Sequence, residues 1–282
     1  MNALDSDRVA QTLRRLFQEA AEADRGLMDQ FGANPDEDAG QMYAQAIAST
    51  LADERRDLRA VYRGYAGNFL NVSAAYGRFL YQCARSRRAT RIVEFGTSMG
   101  VSTIHLAAAL RDMGGGQLIG TELEPAKAER ARANLLAAGL AEGVEIRVGD
   151  ARETLADVGG PIDLVLLDGA ISLYLPVLRL LEPRLKPGTP ILAENAWDHD
   201  NEYLDYVRDP ANGYVSQPLE IDRAVATNSR CMQDDRHDRS EAGARPGQPP
   251  ADPAIHDARA GGAGRDAGAG LSLDHAGKPG VS

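Results

Sequence analysis

Between Arg91 and Arg111 the chain reads RIVEFGTSMGVSTIHLAAALR, and its apolar positions change period twice. Ile92, Val93 and Phe95 leave no polar face, which suits a strand buried on both sides of a parallel sheet, with Glu94 inside the run. Gly96 and Gly100 bracket a sharp turn. Val101 to Leu110 then follows as an alanine- and leucine-rich helix with Ser102 and Thr103 in its first turn. Such a turn aims free backbone N–H groups and a positive helix end at whatever lies above the strand.

The same alternation of strand and helix continues. Gln117–Thr121 is a second strand ending at Glu122, and Pro125 and Gly139 frame a helix. Val144–Val148 is a third strand, followed by Asp150 and a helix over ARETLADV. Ile162–Leu167 is a fourth strand ending at Asp168-Gly169, and Thr189–Ala193 is a fifth ending at Glu194-Asn195. A helix over Glu202–Val207 and a sixth strand over Tyr214–Pro218 follow, with Ala224–Thr227 at best the stub of a seventh. Upstream, Val9, Leu13, Leu16 and Phe17 recur at helical spacing within residues 6–24. Pro35 opens another helix, Met42–Arg59 continues helical with Asp53 to Asp57 as a solvated face, and Asn71–Arg85 is a helix for which Asn71 is a candidate N-cap. This order predicts an α/β fold with a mostly parallel, doubly wound sheet. From Gln233 onward there are no aromatics and nine glycines in fifty residues. That stretch cannot bury a core and is expected to be disordered, so its deletion should leave folding unchanged.

Composition narrows the chemistry. The chain has 282 residues and a formal charge of −10, and the excess lies in residues 1–222, with 33 acidic against 23 basic side chains. An acidic folded part argues against a nucleic-acid partner. Cys83 and Cys231 give neither a disulfide framework nor metal spacing, no stretch is long enough to span a membrane, and a cytoplasmic setting is expected.

The strands of a doubly wound sheet deliver their last residues to one carboxyl edge, where ligands bind. Glu122 there is either a solvated acid or an acceptor for both hydroxyls of a ribose. Asp150 caps a helix, contacts a base, or does both. Asp168, Glu194 and Asn195 converge as a hard oxygen set suited to Mg²⁺.

The pattern E-x-G-x-x-x-G-x-S at Glu94–Ser102 resembles motif I of class I S-adenosylmethionine (SAM)-dependent methyltransferases and departs from the dinucleotide G-x-G-x-x-G. The longer run from Phe69 to Ser102, with LLDGAISLYLP and ILAENAW, resembles the catechol and caffeoyl-CoA O-methyltransferases over roughly residues 60–222. The resemblance implies a Rossmann-like methyltransferase fold over 60–222, with a helical lid or dimer arm at 1–59 and a tail at 223–282. It assigns the methionine end of SAM to Glu94, Gly96, Thr97, Ser98, Gly100 and Ser102, with Leu70, Asn71 and Val72 over it. Glu122 takes the ribose, Asp150 and Ala151 the adenine, and Asp168 the metal or the sulfonium region, with Glu194 and Asn195 completing a metal site.

Two departures stand out. Glu194 replaces the family's Asp, and Ile171 stands where the family carries its lysine base. His199, in the loop after the fifth strand, is either solvated or the acceptor's general base. His105, inside the motif helix, reads as packed. The expected activity is SAM-dependent O-methylation of a small hydroxylated, aromatic acceptor, by a monomer or homodimer. The alternatives are a SAM-binding protein without that activity and a nicotinamide-dependent oxidoreductase.

Overall fold

The computed structural model describes residues 2–27, 39–196, 201–219 and 221. Five strands, β1 (Arg91–Phe95), β2 (Gln117–Glu122), β3 (Val144–Val148), β4 (Leu164–Leu167) and β5 (Ile191–Ala193), form one sheet in the order β3-β2-β1-β4-β5. Every pairing is parallel. The chain winds outward from β1 to β3, returns to β4 beside β1, and winds outward again. The order therefore reverses between β1 and β4, the crevice where ligands bind in such sheets. Register brings the strand ends level: Phe95 pairs with both Thr121 and Leu167, and Leu167 with Ala193.

Side chains alternate across the sheet as the period of two requires. Ile92, Leu118, Leu164 and Leu166 join one core with α1 (Asp7–Ala23), α3 (Ala74–Arg87), α4 (Val101–Asp112) and α5 (Pro125–Ala138). Val93, Phe95, Ile119, Val165 and Leu167 join the other with α6 (Ala151–Thr154), α7 (Tyr174–Leu181) and α8 (Glu202–Arg208). This is the Rossmann-like, doubly wound fold. The long α2 (Ala39–Gly64) leaves helical geometry at Asp57, and its Leu58 and Tyr62 pack on the second core.

Several predicted boundaries move. The helix expected from Asn71 starts at Ala74 because the Ser73 side chain accepts the Tyr76 amide at 3.0 Å, while Asn71 donates its amide to the Val72 carbonyl. The helix expected over 151–158 stops at Thr154, where Arg147 binds the carbonyls of Thr154 and Asp157 at 2.7 and 2.6 Å and holds the chain out of a further turn. The fourth strand shortens to Leu164–Leu167, because at Asp163 the side chain takes the amides of Thr90 and Arg91. The fifth begins at Ile191, after Pro190. No sixth strand forms at Tyr214–Pro218. Tyr214 is anchored through its hydroxyl to Glu182 at 2.7 Å and Val215 is fully exposed, so the segment is tied by a side chain and not by a ladder. The helix start at Pro35, the loop residue His199, the stub at Ala224–Thr227 and the expected disordered tail at 223–282 lie outside the described residues. Among the described residues no helix is long and apolar enough to cross a membrane.

Candidate active site

The turn after β1 is built from the backbone. Gly96 and Thr97 both donate to the Thr121 carbonyl, at 3.1 and 3.0 Å. Gly96 has φ +96°, and a Cβ there would overlap the Asp168 carbonyl, so only glycine lets the ends of β1 and β4 approach this closely. Beneath the turn, Glu94 is fully buried. It accepts the hydroxyls of Ser102 and Thr103 at 2.6 Å each and of Thr97 at 3.1 Å. Burial pushes its carboxyl upward, against the pull of the three hydroxyls.

Five of the residues expected at the cofactor stand back from the cavity. Glu94, Thr97, Gly100, Ser102 and Val72 do not line the cavity at the strand ends. Glu94 spends its oxygens joining β1, the turn and α4, so it shapes the wall from behind. Glu94→Ala is expected to cost about 3 kcal/mol or more, because it removes three hydrogen bonds to a carboxylate and leaves a void. Urea unfolding checks this, and a loss below about 1 kcal/mol would be incompatible with the assigned role.

The cavity itself is partly open to solvent and lies at the carboxyl edge of the sheet. Its wall brings together Gly96 and Ser98 of the turn, Glu122, Asp150 and Ala151, Asp168, and Leu70. Glu122 is buried, with one oxygen accepting the Ser98 amide at 2.7 Å and the other the Glu124 amide at 2.9 Å. Burial raises its pKa against those amides and the nearby Lys127. Asp150 both faces the cavity and caps α6, accepting the Arg152 amide at 2.9 Å; hydrogen bonding from the Arg152 side chain holds its carboxyl low. Asp168 is half-buried in the wall, and its carboxyl stands well above the usual range, first through burial and then through the charges of Glu194 and Glu94.

Several residues escaped the sequence reading. Lys127, Leu123, Leu58 and Tyr62 also line the cavity. Asp24, just past α1, accepts the amides of Phe69 and Leu70 at 2.9 Å each and so holds Leu70, at φ +48°, on the cavity wall. An aspartate after a helix and a lysine in a charged helix carry no signal of their own.

The expected solvated face of α2 is only partly so. Glu54 is buried, accepting the Tyr62 hydroxyl at 2.9 Å and the Ser172 amide at 2.9 Å. It fastens α2 to the chain beside Ile171 and fixes Tyr62 over the cavity. Glu54→Ala leaves a part-buried hydroxyl and a part-buried amide without their acceptor, and is expected to lower stability by about 1–3 kcal/mol, read as a fall in the thermal midpoint.

Of the three proposed metal ligands, Asp168 and Glu194 come close enough for their charges to interact. The Tyr76 hydroxyl bonds the Glu194 carboxylate, and Tyr174 donates to the Glu194 carbonyl at 2.6 Å. Asn195 is exposed, at φ +54°. No group of three His, Cys, Asp or Glu suited to a metal occurs among the described residues. In chemistry the set still fits a hard divalent cation: a carboxyl whose proton affinity is raised by a neighbouring carboxylate is the arrangement such an ion relieves. His105 is packed, its ring against Gly77 and Nδ1 at 2.8 Å from the Val101 carbonyl, with burial lowering its pKa.

Residues 93–196 match the family described as a methyltransferase domain. Together with the strand order, this defines the fold as the Rossmann-like methyltransferase fold. Among curated relatives the resemblance is to the catechol O-methyltransferases, as in the sequence reading. A protein of that name from Mycobacterium tuberculosis is 45% identical over 98 residues, 34% of this chain and 44% of its own. Another from Niastella koreensis is 35% identical over 140 residues, 48% of this chain and 62% of its own. The chain thus spans about half the length of the curated relatives it matches. A solved structure of a Bacillus cereus O-methyltransferase with S-adenosylhomocysteine (SAH) is 28% identical, covering 52% of this chain and 66% of that one, with a TM-score of 0.43.

Proposed function

We propose that the chain transfers the methyl group of SAM to a hydroxyl of a small aromatic acceptor. The observation that carries this reading is the single cavity wall in which the glycine turn, Glu122, Asp150 and Asp168 meet. Glu122, with lone pairs left beyond its two amide bonds, accepts the ribose hydroxyls. The backbone of Gly96 and Ser98 faces the methionine part, and Asp150 and Ala151 the adenine. Asp168 sets a negative charge by the sulfonium.

Transfer is an in-line displacement: the acceptor oxygen bonds the methyl carbon, the carbon–sulfur bond breaks, and the sulfur leaves neutral. Holding the two reactants in line supplies much of the rate. A divalent ion held by Asp168, Glu194 and Asn195 would lower the pKa of the acceptor hydroxyl. With Ile171 in the lysine position, His199 is our candidate to take the acceptor's proton. The chain works in the cytoplasm, as a monomer or homodimer, on a small-molecule acceptor and not on nucleic acid.

The test is titration calorimetry with SAH, with Mg²⁺ and with EDTA, followed by transfer of labelled methyl from SAM to catechol. Binding at micromolar SAH with transfer supports the reading; no binding refutes it. Ile171 favours a second reading, a SAM-binding protein without turnover, which predicts SAH binding but no transfer to any phenol.

A further inference from the structure

We propose that Lys127 binds the α-carboxylate of the cofactor's methionine moiety. The inference rests on the SAM reading above and adds a residue to it. Lys127 lies in the first turn of α5, only 3% exposed, on the cavity wall. Among the described residues lining the cavity it is the one basic side chain, against Glu122, Asp150 and Asp168. Its Nζ is 3.5 Å from Ser98 Oγ, and it forms no ion pair among the described residues.

The acids around it are committed elsewhere. Glu122 accepts the amides of Ser98 and Glu124, and Asp24 accepts those of Phe69 and Leu70 together with the Asn68 side chain. Ser98 itself donates to the Phe69 carbonyl, which leaves its oxygen to face the ammonium. The result is a buried cation held at the cavity wall without a counter-ion in contact. That is costly unless a ligand anion completes it.

Which anion follows from place and chemistry. Lys127 stands where the glycine turn meets the Phe69–Leu70 segment, with Asp24 and Glu122 as its main electrostatic neighbours. The ribose hydroxyls, neutral donors to Glu122, do not neutralise an ammonium. SAM and SAH each carry one carboxylate, on the methionine part, and that part is the one that lies along the turn.

The test compares two ligands on the full-length chain. SAH carries the carboxylate; 5′-methylthioadenosine shares the adenosine and sulfur but lacks the amino-acid end. Lys127→Met is expected to weaken SAH by about tenfold or more and methylthioadenosine by less than about twofold, with Lys127→Arg recovering part of the SAH affinity. Equal losses for both ligands, or none for either, overturn the inference while leaving the SAM site standing. Should Lys127→Met not fold, Lys127→Arg and Lys127→Gln carry the same comparison: SAH preference kept by Arg and lost by Gln supports it, and preference kept by both overturns it. Wild-type protein that binds neither ligand removes the SAM reading itself.

Discussion

Glu122→Ala is expected to weaken SAH binding by about a hundredfold or more, the largest loss of affinity for any single side chain in the cavity. Two effects add. Glu122 offers a charged acceptor to the ribose hydroxyls, and each hydrogen bond to a charged group contributes about 1.5–3 kcal/mol. It also receives the Ser98 amide at 2.7 Å, so it fixes the turn residue at φ +45° that faces the methionine part. Glu122→Gln keeps one acceptor for that amide and loses the charge, and its affinity should fall between wild type and alanine. The raised pKa adds a pH signature. As pH falls from neutral, Glu122 takes up its proton before an ordinary glutamate does, and SAH affinity declines with it. Calorimetry across that range reads both effects, and a Glu122→Ala protein that binds SAH within about threefold of wild type would sink the ribose assignment.

What the sequence made legible follows from where the information is local. Ile92, Val93 and Phe95 announce a strand with two buried faces, and they are divided between two cores as the period of two demands. Gly96 is legible because its conformation and the approach of Asp168 allow no other residue. Glu122, Asp150 and Asp168 follow from strand ends, since a parallel sheet sends every strand end to one edge. Contacts made between distant segments are what the sequence hid. Asp53 to Asp57 looks like a charged helical face, yet Glu54 is buried because Ser172, 118 residues on, presents an amide to it. Lys127 sits among alanines, glutamates and arginines, and nothing nearby in sequence distinguishes it from Arg130, which is bonded to Glu19 on the surface. Glu94 was placed at the ligand because its position is right, but three hydroxyls turn it inward. Tyr214–Pro218 has a strand's composition and no strand to pair with.

Asp168→Asn should make the protein more stable and nearly inactive at once. The carboxyl of Asp168 is raised well above its usual range by burial and by Glu194 and Glu94. A raised folded-state pKa means the fold holds that proton more tightly than the unfolded chain does. Its contribution to stability is therefore complete below the ordinary carboxyl pKa and is lost as pH rises through the folded value. Above that value the wild type carries a half-buried negative charge among like charges, and the isosteric neutral asparagine removes it. A gain of about 1 kcal/mol would lift the thermal midpoint by about 2–4 °C for a domain of this size. At low pH, where Asp168 is protonated in both states, the two proteins should unfold together. The same charge is the one placed by the sulfonium and offered to a divalent ion, so turnover on any accepted phenol should fall by about a hundredfold or more. Thermal unfolding of both proteins at about pH 3, below the unfolded aspartate's pKa, and at pH 8, with initial rates at pH 8, decides it. A variant that is less stable at pH 8 would mean that Glu194 and Glu94 do not act on Asp168 as like charges. One that keeps its rate would mean that the chemistry runs elsewhere in the cavity. A stabilised and inactive variant would mark Asp168 as a group the fold tolerates only because the reaction needs it.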